Sequence, residues 1–102
     1  MIQLALFARL EAKPGLEGEV ERFLMSALPM ARDEPDTPIW FALKLSPTTF
    51  GIFDAFHDEV GRQRHLTGPI AQALMARAPE LFASPPSIES IEVLGLKNNG
   101  AL

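Results

Sequence analysis

Two neighbouring stretches of this chain, residues 39–45 and 50–56, constrain the fold most because both read as strands with two apolar faces. The segment 46–49 (Ser-Pro-Thr-Thr) between them has the composition and length of a hairpin turn. Successive side chains of a strand point to opposite sides, and here both sets are largely apolar. In a sheet built on this hairpin, the apolar side chains of both faces therefore have to be shielded from water.

Two further strands and a first helix follow from the spacing of apolar residues. Alternation predicts strands over Ile2–Ala12 and Ser87–Leu96. Apolar residues three and four positions apart predict a helix over Leu16–Arg32. Pro29 removes a backbone donor within that helix, so we expect a kink or an early end there.

A second helical region follows the hairpin. Asp58 is suited to cap a helix over Glu59–Leu66. Gly68 and Pro69 interrupt this helix and start a second segment, with proline at a first-turn position. The segment 84–86 (Ser-Pro-Pro) ends the region before the last strand.

The order βαββαβ predicts an α+β, ferredoxin-like fold, with a four-stranded antiparallel sheet and two helices on one face. Residues 1–97 are expected to form one domain, and residues 98–102 a flexible tail. The sheet face away from the helices is expected to be apolar and to bury itself in a homodimer. The residues assigned to that open face are Phe7, Trp40, Ala42, Phe53, Ala55, Ile91 and Val93.

Composition narrows the choice of partners. The net charge of −4 argues against nucleic acid and anionic membranes, which attract basic surfaces. The absence of cysteine excludes disulfides and thiolate chemistry. We see neither a signal peptide nor an apolar run long enough to span a bilayer, and expect a cytoplasmic protein without membrane contact.

Asp54 and His65 are the residues best suited to chemistry. Alternation places Asp54 on the same strand face as Phe50 and Phe56, and the following helix carries His65. An imidazole titrates near neutral pH and can act as a base that a carboxylate orients. The alternative is a buried structural pair, since a buried carboxylate needs a partner in any case.

Nearly the whole chain resembles the antibiotic biosynthesis monooxygenase (ABM) family of the dimeric α+β barrel superfamily. The resemblance rests on residues 9–15 (Arg-Leu-Glu-Ala-Lys-Pro-Gly), on 53–56 (Phe-Asp-Ala-Phe) followed by His65, and on 83–87 (Ala-Ser-Pro-Pro-Ser). Members usually carry Glu, one residue, then Trp on the third strand, and a His nine or ten residues later. Asp54, Phe56 and His65 occupy these three positions.

The resemblance implies a homodimeric barrel with a pocket between sheet and helices in each subunit. It implies a cofactor-independent monooxygenase, an oxidoreductase acting on a small quinol or hydroxylated aromatic. A non-catalytic dimeric module that binds a small apolar ligand or a partner is the alternative. Asp54 is shorter than Glu, and Phe56 lacks the indole donor. Ala8 stands where the haem-degrading branch has Asn, which argues against that activity.

In the enzyme hypothesis His65 is the base and Asp54 orients it. Phe50, Phe56 and Trp40 are assigned to an aromatic substrate wall. Arg9 is assigned to an anionic substrate, with Arg62 and Arg64 as alternatives. We expect neither metal nor nucleotide cofactor, because the histidines have no recognised ligand spacing and no glycine-rich phosphate loop is present. His57 is read as a solvated loop residue.

Overall fold

The computed structural model of the chain describes residues 1–100. The element order is the predicted one, with the second helical region divided in two. The division into a domain of residues 1–97 and a tail of residues 98–102 stays a prediction, and residues 101 and 102 lie outside the described part. The elements are β1 (Leu4–Glu11), α1 (Glu17–Arg32), β2 (Ile39–Lys44), β3 (Thr49–Phe56), α2 (Glu59–Leu66), α3 (Pro69–Leu81) and β4 (Ser87–Glu92).

The four strands form one antiparallel sheet in the order β2-β3-β1-β4. Leu6 of β1 and Trp40 of β2 lie opposite Asp54 of β3, so these three residues share one face. The helices cover that face and leave the other open. The ferredoxin-like α+β fold is therefore confirmed, with three helices rather than two.

The main core lies between the sheet and helices α1 and α3. Fully burying one large apolar side chain contributes about 1.5–3 kcal/mol, so this layer supplies most of the driving force for folding. The buried residues of this core include Ala8, Leu10, Val20, Phe23, Leu24, Phe50, Ile52, Leu74, Leu81 and Phe82.

The prediction of which β2 residues lie on the open face is wrong. Trp40 and Ala42 lie opposite Asp54 and Ile52 and therefore face the helices. Ile39, Phe41 and Leu43 occupy the open face instead. Alternation alone was unable to distinguish the two faces of this strand because both are apolar, and only the pairing with β3 sets the register.

The end of β4 differs from the prediction, whereas α1 ends at Arg32 as predicted. Strand β4 ends at Glu92 rather than Leu96, because Glu92 already lies opposite Leu4, the first residue of β1. Helix α1 continues through Pro29 to Arg32, so the expected early end does not occur. Pro29 lies in the last turn, where it removes only one bond of the helix ladder.

Helix α2 begins as predicted, since the Asp58 side chain accepts a hydrogen bond from the Gly61 N–H at 2.9 Å. Thr67 and Gly68 separate α2 from α3, which has proline at its first position. None of the helices within residues 1–100 is long and apolar enough to cross a bilayer.

The acidic loop, defined here as residues 33–38, packs closely on α2. A Cβ atom added at Gly61 would lie 3.0 Å from the Asp36 carbonyl oxygen. This distance is shorter than an ordinary carbon–oxygen contact, so Gly61 allows the loop to approach the helix. Gly18 lies in the first turn of α1, as the second residue of that helix where Gly61 is the third of α2, and its added Cβ would meet only the Arg22 side chain, at 3.6 Å.

We expect the same substitution to have opposite effects at these two glycines. Gly18→Ala should raise the free energy of unfolding by about 0.5–1 kcal/mol, because alanine loses less entropy in a helix. Gly61→Ala should lower it by about 1 kcal/mol or more, since crowding against the loop outweighs that gain. Urea unfolding of both variants measures the difference. Equal stabilisation of both would contradict the close packing of loop and helix.

Candidate functional site

Strand β3 and helix α2 bring Asp54 and His65 into direct contact. Asp54 points from the sheet toward the helices and is only 2% exposed, and His65 is 7% exposed. The two side chains meet at 2.8 Å between His65 Nε2 and Asp54 Oδ2. The hydrogen-bonded pair that the sequence suggested is thus present, and it ties α2 to the sheet.

Glu34 of the acidic loop contacts the opposite side of the imidazole. Its Oε1 lies 2.7 Å from His65 Nδ1 and also accepts a hydrogen bond from the Thr37 hydroxyl at 2.9 Å. Asp54, His65 and Glu34 therefore form a continuous carboxylate–imidazole–carboxylate arrangement, called the His65 array below. It links β3, α2 and the acidic loop.

The His65 array favours a charged imidazolium. Burial by itself lowers the pKa of His65, but the hydrogen bond and charge of Asp54, followed by those of Glu34, outweigh burial and raise it. When both ring nitrogens carry protons, each donates to one carboxylate. His65 therefore has no free nitrogen with which to accept a further proton.

A narrow inner cavity of about 40 Å³ lies between the sheet and helices α2 and α3. Asp54 and His65 are its polar lining, among apolar side chains that include Leu6, Ile70 and Ile88. The second carboxylate oxygen of Asp54, Oδ1, is buried and has no hydrogen-bond partner within the described protein. A volume of this size suits a water molecule or one small polar group rather than an aromatic ring.

A larger outer cleft lies on the other side of His65. Its volume is about 350 Å³, and its lining includes Met30, Glu34, Arg64 and Pro69. His65 borders both the outer cleft and the inner cavity. The imidazole thus stands between a cleft of ligand-binding size and a buried, unpaired carboxylate oxygen.

Two of the proposed aromatic wall residues lie near the His65 array. Phe56 is fully buried, and its ring centroid lies 5.5 Å from that of His65. Trp40 lies across from Asp54 on β2, and its buried indole Nε1 has no partner within the described residues. Phe50 is farther along β3 in the main core, with Lys44 Nζ 5.7 Å from its ring centroid.

The proposed arginines are not gathered at Asp54. Arg9 is exposed on the open face of the sheet, opposite Gly51 and Ser87, and so lies on the side away from His65. Arg62 pairs with Glu59, and Arg64 pairs with Asp36 at 2.6 Å across the outer cleft. No group of three or more His, Asp or Glu side chains within residues 1–100 has an arrangement that could hold a metal ion.

Glu34 is the residue that sequence reasoning missed. It lies in the loop 33–38 (Asp-Glu-Pro-Asp-Thr-Pro), which has no periodicity and reads as an exposed connection. The loop's buried threonine and half-buried glutamate are explained only by its packing on α2. No local pattern in the sequence distinguishes Glu34 from Asp33 or Asp36.

The solved structures similar to this chain include one protein of high sequence identity and others that share the fold at low identity. The NE2512 protein of unknown function from Nitrosomonas europaea is 60% identical, with a TM-score of 0.93 over 96% of this chain and 95% of that one. A Caulobacter crescentus structure described as a "putative antibiotic biosynthesis monooxygenase" is 14% identical, with a TM-score of 0.79 over 92% of each chain. Rv0793 from Mycobacterium tuberculosis is 15% identical, with a TM-score of 0.82 over 94% of this chain and 99% of that one.

The Caulobacter crescentus and Mycobacterium tuberculosis structures are so different in sequence that they establish the fold alone. The resemblance of this chain to the ABM family is confirmed at the level of the fold. No family model matches the sequence, and no curated protein does.

The raised pKa of His65 makes stability depend on pH in a defined direction. The pKa of His65 is raised above its ordinary value of 6.5 in the folded state. Its stabilising effect is thus complete below pH 6.5 and is lost as the pH rises through the folded-state pKa. We expect His65→Gln to lower the free energy of unfolding by about 3 kcal/mol at pH 6, because two buried carboxylates lose their partner.

The difference in free energy of unfolding between the parent and His65→Gln should decrease between about pH 6 and pH 9. Urea unfolding across that range measures it. His57→Gln is the matched control, because His57 is exposed, and it should keep the parental pH profile. A deficit that does not change with pH would contradict a charged His65.

Proposed function

Because this chain belongs to the same family as the NE2512 protein of Nitrosomonas europaea and has the ABM fold, we propose that it is a cofactor-independent monooxygenase of small hydroxylated aromatics or quinols. The NE2512 protein is itself of unknown function, so the family does not supply the reaction. The observation that carries the proposal is the unpaired Oδ1 of Asp54 at the inner cavity.

The Oδ1 atom of Asp54 is an acceptor that lacks a hydrogen-bond donor among the described residues. A buried acceptor without a partner costs about 1–3 kcal/mol, which a ligand hydroxyl or a bound water offsets. The remaining cavity wall is apolar, and Phe56 packs beside His65. A phenolic hydroxyl on a flat, apolar ring matches these features because it combines one donor with a large apolar surface.

The proposed reaction begins with proton transfer. The substrate O–H bond breaks, a new O–H bond forms on Asp54 Oδ1, and the resulting phenolate gives electrons to O₂. For a quinol, one oxygen atom enters the ring, the other leaves as water, and the product is a hydroxyquinone. The four electrons that O₂ accepts all come from the substrate. The charged His65 stabilises the negative charge that develops beside it.

This mechanism gives Asp54 the role of base and His65 that of a positioning residue. It differs from the sequence hypothesis because both imidazole nitrogens already contact carboxylates. Catalysis by His65 as the base stays a prediction, and it requires that one of these contacts breaks. Either mechanism also requires the inner cavity to enlarge, since about 40 Å³ does not hold an aromatic ring.

The small cavity favours the second candidate function, a non-catalytic module of the same fold. In that case Asp54, His65 and Glu34 fasten the acidic loop and α2 to the sheet, and a buried water occupies the space at Oδ1. A ligand or partner then binds elsewhere on the molecule. Turnover with O₂ distinguishes the two functions.

We further propose that the protein is a cytoplasmic homodimer joined through the open sheet face. Phe41 is 42% exposed there, and its ring centroid lies 6.4 Å from that of Phe53. Apolar residues of all four strands continue the patch, and a surface of this kind is typical of an interface. The further members are Phe7, Ile39, Leu43 and Ile91, all partly exposed.

The enzyme proposal predicts O₂ consumption by protein freed of flavin and metal, on a panel of quinols, naphthols and polycyclic phenols. Asp54→Asn should lower the rate at least about 100-fold, the usual contribution of a general base. Glu80→Gln, an exposed acid of α3, is the control and should keep the parental rate. Oxygen-electrode traces and mass spectrometry of products formed under ¹⁸O₂ provide the measurement. Absence of turnover across the panel would reject the enzyme and favour the module.

The dimer proposal predicts that Phe41→Lys yields monomers, because a lysine on each subunit places like charges in an apolar interface. Light scattering after size-exclusion chromatography gives the mass. Met25→Lys changes an apolar residue of α1 that is 57% exposed and should leave the dimer intact. A monomeric parent would contradict the proposal.

A further inference from the structure

We propose that Glu34 is a positioning residue that holds His65 in its charged form and makes Asp54 receptive to the substrate proton. This role in turnover depends on the function proposed above. The effect of Glu34 on the charge of His65 does not, because it follows from contacts within the folded chain.

Two contacts hold the carboxylate of Glu34 in place. Its Oε1 lies 2.7 Å from His65 Nδ1, and the buried Thr37 donates to the same oxygen. The other oxygen, Oε2, is buried without a partner within the described residues. The carboxylate is therefore largely removed from water, where its charge acts strongly on its neighbour.

Glu34 changes the net charge of the His65 array, and with it the cost of placing a proton on Asp54. With both acids ionised and His65 protonated, the His65 array carries a net charge of −1. A proton arriving on Asp54 Oδ1 brings this charge to zero, which a buried site favours. Without the charge of Glu34, and at a pH at which His65 is still protonated, the Asp54–His65 pair is neutral, and the same proton leaves a buried net charge of +1. Glu34 thus promotes proton transfer to a residue that it does not touch.

Other charged groups near His65 are already paired or more exposed. Arg64 of α2 pairs with Asp36, and Asp33 lies at the exposed rim of the outer cleft. Asp58 caps α2. Helix α3 approaches His65 with Pro69 and Ile70, and its Arg77 and Glu80 pair with each other. Asp54 from β3 and Glu34 from the acidic loop are therefore the acids in contact with the ring.

The test measures the charge of His65 directly by ¹⁵N NMR of the imidazole during a pH titration. In the parent, both nitrogens of His65 should show the imidazolium signature at neutral pH. In Glu34→Gln, which keeps the size and shape of the side chain, His65 should titrate at lower pH. Asp36→Asn removes an acid from the same loop that pairs with Arg64 instead, and it should keep the parental titration.

The outcomes separate this inference from the proposed function. An unchanged His65 titration in Glu34→Gln, or a neutral His65 in the parent at pH 7, overturns the inference whether or not the protein turns over a substrate. If a substrate is found, Glu34→Gln should slow turnover on the order of 10- to 100-fold, as loss of an orienting partner does elsewhere. It should also shift the pH profile in the same direction as the NMR titration. If no substrate is found, the NMR result still decides the role of Glu34 in the charge of His65.

Discussion

The contact between Asp54 and His65 is the interaction on which the rest of the site depends. A carboxylate on the helix-facing side of a central strand is costly to bury alone, and an imidazole at 2.8 Å offsets that cost. The same contact fixes α2 to the sheet, and through Glu34 it fixes the acidic loop to α2. Loop, helix and sheet are thus joined by charge as well as by apolar packing.

The arrangement leaves one buried oxygen of Asp54, a residue that lines the inner cavity, without a hydrogen-bond partner among the described residues. Asp54 uses Oδ2 for His65 and keeps Oδ1 free, so the cavity combines an acceptor with apolar walls. The hydroxylated aromatic proposed as substrate would supply the complementary groups. Under that proposal, Asp54 both binds the ligand and maintains the packing, so substitutions of Asp54 would affect stability and ligand contact together.

Much of the fold was predictable because its signals are local. Alternation, helical spacing, the Asp58 cap and the Gly68–Pro69 interruption gave the element order and the fold class. The orientation of Trp40 was predicted wrongly, since a strand that is apolar on both sides gives no local sign of which side is inward. The end of β4 depended on its pairing with β1, which local patterns do not encode, whereas helical spacing located the end of α1 at Arg32.

The Asp54–His65 contact was predictable from strand alternation and helix position, whereas Glu34 was not, because a loop has no period from which to infer burial. This has a consequence for how the family diversifies. Surface loops usually accept insertions and deletions freely. Here the acidic loop supplies one of the two carboxylates that contact the buried imidazole of His65, so its length is tied to residue 65. A relative with a longer or shorter loop should also carry a different residue at that position, and the two changes should arise together.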